Sequence, residues 1–280
     1  MIHHLYSSRI AGLICMFSRS LALLSVFAAG TMLAQTGEPA APATPPAREF
    51  FHIYLLMGQS NMAGRDRRTL DAQSDDPRIL ALHADGRWLV ARDPLHPQRG
   101  RTLPGIGLGI PFAREMLKTA DPKITIGLVP CAVGGSSLRR WIKGAEYYEQ
   151  TVSRARLAAQ AGLIKGVLWH QGESDTTSRE NAGTYETRLA RMLQDLRNDL
   201  GRPDLPIMVG QIGEFLLPEK YPFADTVRGA IRRIPDIVPR VGFADSAGLG
   251  DLGDKLHFSA DAQQQMGARF AKAMRVFQKQ

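Results

Sequence analysis

The strongest constraint on the fold is a set of short, almost uninterrupted apolar runs: Phe51–Met57, Lys123–Val129, Lys165–Trp169, Pro206–Gln211 and Arg240–Ala244. A strand that is apolar at nearly every position has no face to offer water, so both of its faces must be covered. The stretches Pro111–Ala120, Ala145–Ala161, Arg179–Leu200, Phe223–Arg233 and Ala260–Phe277 read as the helices that do this. Within 179–200, Tyr185, Leu189, Met192, Leu193 and Leu196 recur at three- and four-residue steps and form one apolar face. Pro111 suits the first turn of its helix, where a missing N–H costs nothing. Strands alternating with helices predict a parallel sheet in a three-layer α/β/α sandwich. The segment Arg78–Asp93 differs: Asp85-Gly86 separates two short apolar runs, which predicts a hairpin near one edge. No internal repeat and no second domain is evident, and 280 residues at 44% hydrophobic content suffice for one large core.

The N-terminus reads as a secretory signal over residues 1–34. Arg9 and Arg19 flank the apolar run Leu21–Ala34, small residues close it, and no acid precedes Glu38. The run is short for a membrane span, so no stable membrane association is expected after cleavage. This places the protein outside the cytoplasm, secreted or periplasmic. Residues 35–48, QTGEPAAPATPPAR, read as a flexible Pro/Ala-rich linker, leaving 49–280 as the folded domain. Removing 1–34 takes away two arginines and no acid, lowering the formal charge from +8 to +6. The basic residues are scattered, with no run or aromatic interleaving of the kind a nucleic-acid surface needs, so no nucleic-acid partner is expected. Cleavage leaves Cys131 without a disulfide partner, and its place after an apolar run makes it a buried packing residue.

Open α/β sheets bind ligands at the carboxyl ends of their strands. Four such ends are densely polar: Gly58-Gln59-Ser60-Asn61, Gly134-Gly135-Ser136-Ser137, His170-Gln171-Gly172-Glu173-Ser174-Asp175, and the loop reaching Asp254-Lys-Leu-His257. Ser60, just past a buried strand and a glycine, is either a helix cap or a nucleophile on a tight turn. Asp254 and His257 are three apart, so one turn can set the carboxylate against the imidazole and leave the other ring nitrogen to take a proton. His96 and His170 compete for that role. Gln171 offers an uncharged amide suited to an oxyanion, or a side chain that satisfies loop backbone. Metal-ligand spacings are missing, so no metal is expected. Gly105-Ile-Gly-Leu-Gly matches only part of a dinucleotide fingerprint and reads as a flexible loop. Arg139, Arg140 and Trp141 either line the site or belong to surface and core.

Taken together, Met57-Gly-Gln-Ser-Asn-Met62, Cys131-Ala-Val-Gly-Gly-Ser-Ser-Leu138, Trp169-His-Gln-Gly-Glu-Ser-Asp175 and Asp254-Lys-Leu-His-Phe-Ser259 resemble the SGNH hydrolase superfamily. Within it they are most similar to carbohydrate esterase family 6 and the related sialate O-acetylesterases. The blocks follow the family's order and span residues 57 to 259. The resemblance implies a flavodoxin-like sandwich and a cofactor-free serine esterase acting on acetylated carbohydrate, as an acetylxylan esterase does. A sialate O-acetylesterase or a catalytically silent carbohydrate-binding protein are the alternatives. It further implies Ser60 as nucleophile, His257 as base and then acid, and Asp254 as its orienter. The oxyanion hole would combine the Ser60 N–H, an N–H of Gly134 or Gly135, and the Gln171 side chain. Gln59, Asn61 and Glu173 would support the site or touch substrate, Glu173 either bracing the Gln171 loop or meeting the substrate. In the wider superfamily the third block carries an asparagine in a Gly-x-Asn setting. Gln171-Gly172-Glu173 stands there instead, a change shared with the carbohydrate esterase branch.

Overall fold

A computed structural model describes residues 42–68, 75–98 and 103–278. The expected signal over 1–34 and the linker residues 35–41 lie outside the described residues. No described helix is long and apolar enough to cross a membrane.

The described residues form a seven-stranded sheet of β1 (Phe51–Gly58), β2 (Ile79–Leu82), β3 (Trp88–Val90), β4 (Thr125–Pro130), β5 (Leu163–His170), β6 (Ile207–Gly210) and β7 (Val241–Ala244), in the spatial order β3-β2-β4-β1-β5-β6-β7. All neighbours are parallel except the β2–β3 hairpin, which turns at Asp85-Gly86 and sits on the edge as anticipated. Without that hairpin the strands follow the flavodoxin-like order, with β1 at the centre and its successors β4 and β5 on either side. The connection from β4 to β5 therefore crosses β1, and the crevice at the carboxyl end of β1 is the topological switch point.

Helices α2 (Gly109–Leu117) and α7 (Ala260–Val276) cover one face of the sheet. The other is covered by α3 (Glu146–Ala158), α5 (Tyr185–Asp199) and α6 (Ala224–Ile237). The alternation along β1 accounts for the two layers. Phe51, Ile53, Leu55 and Met57 pack with α3, α5 and α6, while Tyr54 and Leu56 pack with α2 and α7. All six are at most 1% exposed, and each contributes roughly 1.5–3 kcal/mol by burial.

The structure corrects four expectations. The helix predicted over 179–200 is two, α4 (Arg179–Gly183) and α5, broken at Thr184. Gly183 is a poor helix former, and the Thr184 hydroxyl donates to Glu180 O (2.8 Å), tying the chain back on itself. Helix α6 does not stop at Arg233 but runs through Pro235 to Ile237; the proline costs the hydrogen bond that its missing N–H would have made to Ile231 O, and the helix ends two residues later. Residues 42–48 are not a free linker. Pro42 bridges Leu89 and Ala43 N donates to Trp88 O (3.0 Å), capping the edge of the hairpin. The loop around Gly105 is pinned rather than flexible, with Gly105 N on Gly64 O and Ile106 N on Asp66 O.

Candidate active site

Strand β1 delivers Ser60 to the switch point. Gly58 leaves the strand with φ +133°, and a Cβ there would lie 2.0 Å from His170 O on β5, so only glycine allows this close approach. The chain then makes one helical turn, α1 (Ser60–Ala63), with Gln59 in the cap position. Ser60 is the first helical residue, not its cap, so its side chain is free for other work. As the first helical residue, its N–H has no acceptor within the helix.

From the loop after β7, His257 Nε2 comes to 3.1 Å from Ser60 Oγ, and His257 Nδ1 lies 2.6 Å from Asp254 Oδ2. An ionised carboxylate only accepts, so Nδ1 carries the ring proton and Nε2 faces the serine as an acceptor. Asp254 Oδ1 also accepts from the backbone N–H of Leu256 (2.9 Å) and His257 (2.8 Å). Partial burial pulls the Asp254 pKa upward, but these N–H groups and the imidazole outweigh it and hold the carboxyl below its ordinary range. The competing histidines fall away. His170 is fully buried, bonded through Nε2 to Gln211 O (3.1 Å) and packed on Phe258 and Phe270; burial pushes its pKa down to about 4. His96 lines a small hollow that adjoins the Ser60 cleft and shares Arg65 and Gly134 with it, but Ser60 is not part of its lining.

The serine and histidine open into a cleft of about 400 Å³, lined also by Gln59, Arg65, Gly134, Gly135, Glu173, Ser174, Thr177, Tyr221 and Leu256. Another hollow, about 350 Å³, lies toward the opposite end of β1 beneath His52 and Tyr54, and its lining has no serine–histidine pair. Both glycines of the second block reach the cleft. A Cβ at Gly134 would sit 3.8 Å from Ser60 Cβ, whereas one at Gly135 would meet nothing within 4 Å. Gly134 is therefore the glycine packed against the nucleophile candidate.

Gln171 does not stand where the resemblance implied. It is fully buried and absent from the cleft lining. Its two Nε2 hydrogens are shared among Asp175 Oδ2 (2.7 Å), Gln59 Oε1 (3.1 Å) and Ser136 O (3.1 Å), while Tyr185 OH reaches its Oε1 (3.0 Å). No hydrogen is left for an oxyanion. The amide that does face the cleft is that of Gln59. Its Oε1 accepts from Gln171 Nε2 and from Ser174 N (3.2 Å), which turns its NH₂ the other way, toward the space beside Ser60. Gln171 thus orients the amide of Gln59.

Asn61 and Glu173 also acquire definite places. Asn61, fully buried, grips the chain on both sides of His257: its Nδ2 donates to Leu256 O (3.0 Å) and its Oδ1 accepts from Phe258 N (3.0 Å). Nδ2 also donates to Glu173 Oε1, so Glu173 braces the histidine loop through Asn61 rather than the Gln171 loop. Burial raises the Glu173 pKa. Arg139 and Arg140 pair with Glu180 and Glu146 at the surface, and Trp141 is buried against Trp169, so none of the three lines the cleft. Sequence reasoning missed Arg65 and Tyr221. An arginine directly after a glycine reads as a surface residue, and Tyr221 comes from an irregular loop between β6 and α6. Among the described residues no group of three His, Cys, Asp or Glu side chains is arranged to hold a metal ion.

Comparison with known proteins places this geometry. A family model described as carbohydrate esterase, sialic acid-specific acetylesterase, matches residues 50–276. An Arabidopsis thaliana protein described as a probable carbohydrate esterase is 34% identical over 239 residues, covering 79% of this chain and 89% of its own. Its crystal structure superposes with a TM-score of 0.72 at 33% identity, over 80% of this chain and 98% of that one. NanS (TM-score 0.67, 20% identity, 84% and 99% covered) shares the fold. So does a carbohydrate acetylesterase from Xanthomonas citri (0.61, 21%, 80% and 55%).

Proposed function

The chain belongs to the carbohydrate esterase, sialic acid-specific acetylesterase family and is a carboxylic ester hydrolase, and on that premise we propose that it removes O-acetyl groups from carbohydrate through an acetyl-enzyme formed on Ser60. The observation that carries this reading is the line Asp254–His257–Ser60, with contacts of 2.6 and 3.1 Å, at the mouth of a cleft large enough for a sugar unit.

Ser60 Oγ attacks the acetyl carbonyl as His257 Nε2 takes its proton, and Asp254 stabilises the imidazolium. The developing oxyanion accepts from the backbone N–H of Ser60 and Gly134 and from Gln59 Nε2. The amide of Gln59 takes the part first given to Gln171, being neutral, aimed into the cleft and fixed from behind. The sugar alcohol leaves with the proton from His257. Water then attacks the acetyl carbon while giving a proton to the same nitrogen, and collapse breaks the bond to Ser60 Oγ, which takes that proton back as acetate is released. A catalytically silent sugar binder would have no need of a serine and a histidine in this register.

For substrate we propose an acetylated carbohydrate of the xylan or the sialic acid type, the latter favoured by the description of the family model. Export through the 1–34 leader fits either glycan, and N-terminal sequencing of protein recovered from medium or periplasm checks it. Acetate release from acetylated xylan, acetylated sialic acid and an aryl acetate ranks the substrates. Ser60→Ala should abolish all three and prevent labelling by a fluorophosphonate; retained turnover would remove Ser60 from the mechanism.

A further inference from the structure

Arg65 is a cation in the cleft that has no carboxylate partner among the described residues. It follows α1 by two residues and lines the same space as Ser60 and His257. Arg68 nearby is paired with Asp66, but Arg65 forms no ion pair among the described residues. Its Nη1 donates to Gly64 O (2.7 Å), its Nε is buried without an acceptor, and no described residue accepts from Nη2. That last nitrogen leans on the bare α-carbon of Gly134: a Cβ there would be 2.1 Å from Arg65 Nη2 and 3.8 Å from Ser60 Cβ. The guanidinium and the nucleophile thus flank the same glycine, and any larger residue would push the guanidinium away. The two acids nearby do not cancel its charge: Asp254 is committed to His257, and Glu173 is buried and bonded to Asn61.

We propose that Arg65 assists the ester hydrolysis electrostatically, stabilising the charge on the tetrahedral oxyanion from the Gly134 side without touching the reacting atoms. The inference rests on the esterase reading above. Leaving a cation unpaired in a half-buried site is unfavourable in the resting enzyme, and a neutral acetyl carbonyl relieves it little. The oxyanion relieves it strongly, and an interaction that is stronger in the transition state than in the ground state is the kind that raises the rate. Bond making and proton transfer are unchanged, because Arg65 keeps its protons throughout. A full charge roughly 6 Å away at an effective dielectric of about 20 corresponds to roughly 10²-fold in rate, and solvent screening lowers this toward ~10-fold.

The test uses Arg65→Met and Arg65→Lys with two probes: p-nitrophenyl acetate, which is neutral, and phenylboronic acid, which forms an anionic tetrahedral adduct on an active serine. Arg65→Met should lose about 10- to 100-fold in kcat with KM within about threefold of wild type, and the boronate Ki should weaken by the same factor. Arg65→Lys, which keeps the charge without the planar fork, should recover part of both. If Arg65→Met melts far below wild type, the Lys variant and its boronate Ki carry the comparison. Folded Arg65→Met with unchanged kcat and Ki overturns the proposal, as does a kcat loss with unchanged Ki. A loss confined to acetylated sugars that bear a carboxylate also overturns it, and would make Arg65 a reader of substrate charge. Wild-type protein that neither hydrolyses any acetate ester nor binds the boronate would remove the esterase reading itself, an outcome distinct from active wild type with an insensitive Arg65→Met.

Discussion

Asn61 is the side chain whose removal should separate an assembled site from one whose parts are present but misplaced. It is fully buried, and its amide holds Leu256 O and Phe258 N, the backbone groups on either side of His257. Asn61→Ala leaves the Phe258 N–H buried without an acceptor, Leu256 O with one partner fewer, and the Glu173 carboxyl without its donor. An orphaned buried polar group costs about 1–3 kcal/mol, and Leu256 O can turn to water in the cleft, so the sum is roughly 3–5 kcal/mol. At about 2–4 °C per kcal/mol for a chain of this size, Tm should fall by roughly 10 °C while the protein stays folded at 25 °C. The catalytic loss has a different source. His257 would keep Asp254, only three residues away, but lose the tie that sets the loop against α1, and a displacement near 1 Å can cost about 10²-fold. The expected signature in p-nitrophenyl acetate hydrolysis is a kcat reduced about 10²-fold with KM little changed. Glu173→Gln supplies the control, because its carbonyl oxygen can still accept from Asn61 Nδ2; it should stay within about threefold of wild type, whereas Glu173→Ala should move toward Asn61→Ala. Should Asn61→Ala melt within a degree or two of wild type and turn over at its rate, the clamp would have no role in setting His257.

Three other changes probe two separate features. Gln59→Glu keeps an oxygen for Gln171 Nε2 and Ser174 N but replaces the cleft-facing NH₂ with an acceptor, so kcat should fall about 10²–10³-fold with fluorophosphonate labelling slowed in parallel; Gln171→Ala should show first as a lowered Tm. Asp93 is buried, and its desolvation, partly offset by the N–H groups of Gly107 and Leu95, raises its pKa to about 7. The folded state then binds a proton more tightly than the unfolded one, so this group lowers stability as pH rises from about 4 to about 7, by up to ~4 kcal/mol. Asp93→Asn should therefore raise Tm by several degrees at pH 8 and by little at pH 4; an equal shift at both pH values would show that ionisation of Asp93 is not the cause.

The distribution of these effects explains which parts of the site a sequence can disclose. Ser60 and the Asp254–His257 pair are legible because each depends on local constraints: an apolar strand, a glycine that permits a sharp exit, and a three-residue spacing that one turn closes. The parallel sheet is legible for a similar reason, since a run such as Ile53–Met57 leaves no face uncovered. What was not legible depends on contacts between distant segments. Gln59 and Gln171 are equally plausible oxyanion donors as residue types, and only the arrival of Asp175, Ser136 O and Tyr185 around Gln171 uses up its hydrogens. Gln171 holds the third-block position at which the resemblance implies an oxyanion donor, but in this chain the amide there stands one layer behind the cleft. The same holds for Glu173, whose partner lies on α1, 112 residues earlier. Arg65 is the extreme case, because what distinguishes it is that no carboxylate among the described residues pairs with it. In a sheet of this topology the strand ends determine where chemistry can occur, whereas the roles of individual polar groups follow from which of their hydrogens remain unpaired after the loops have closed.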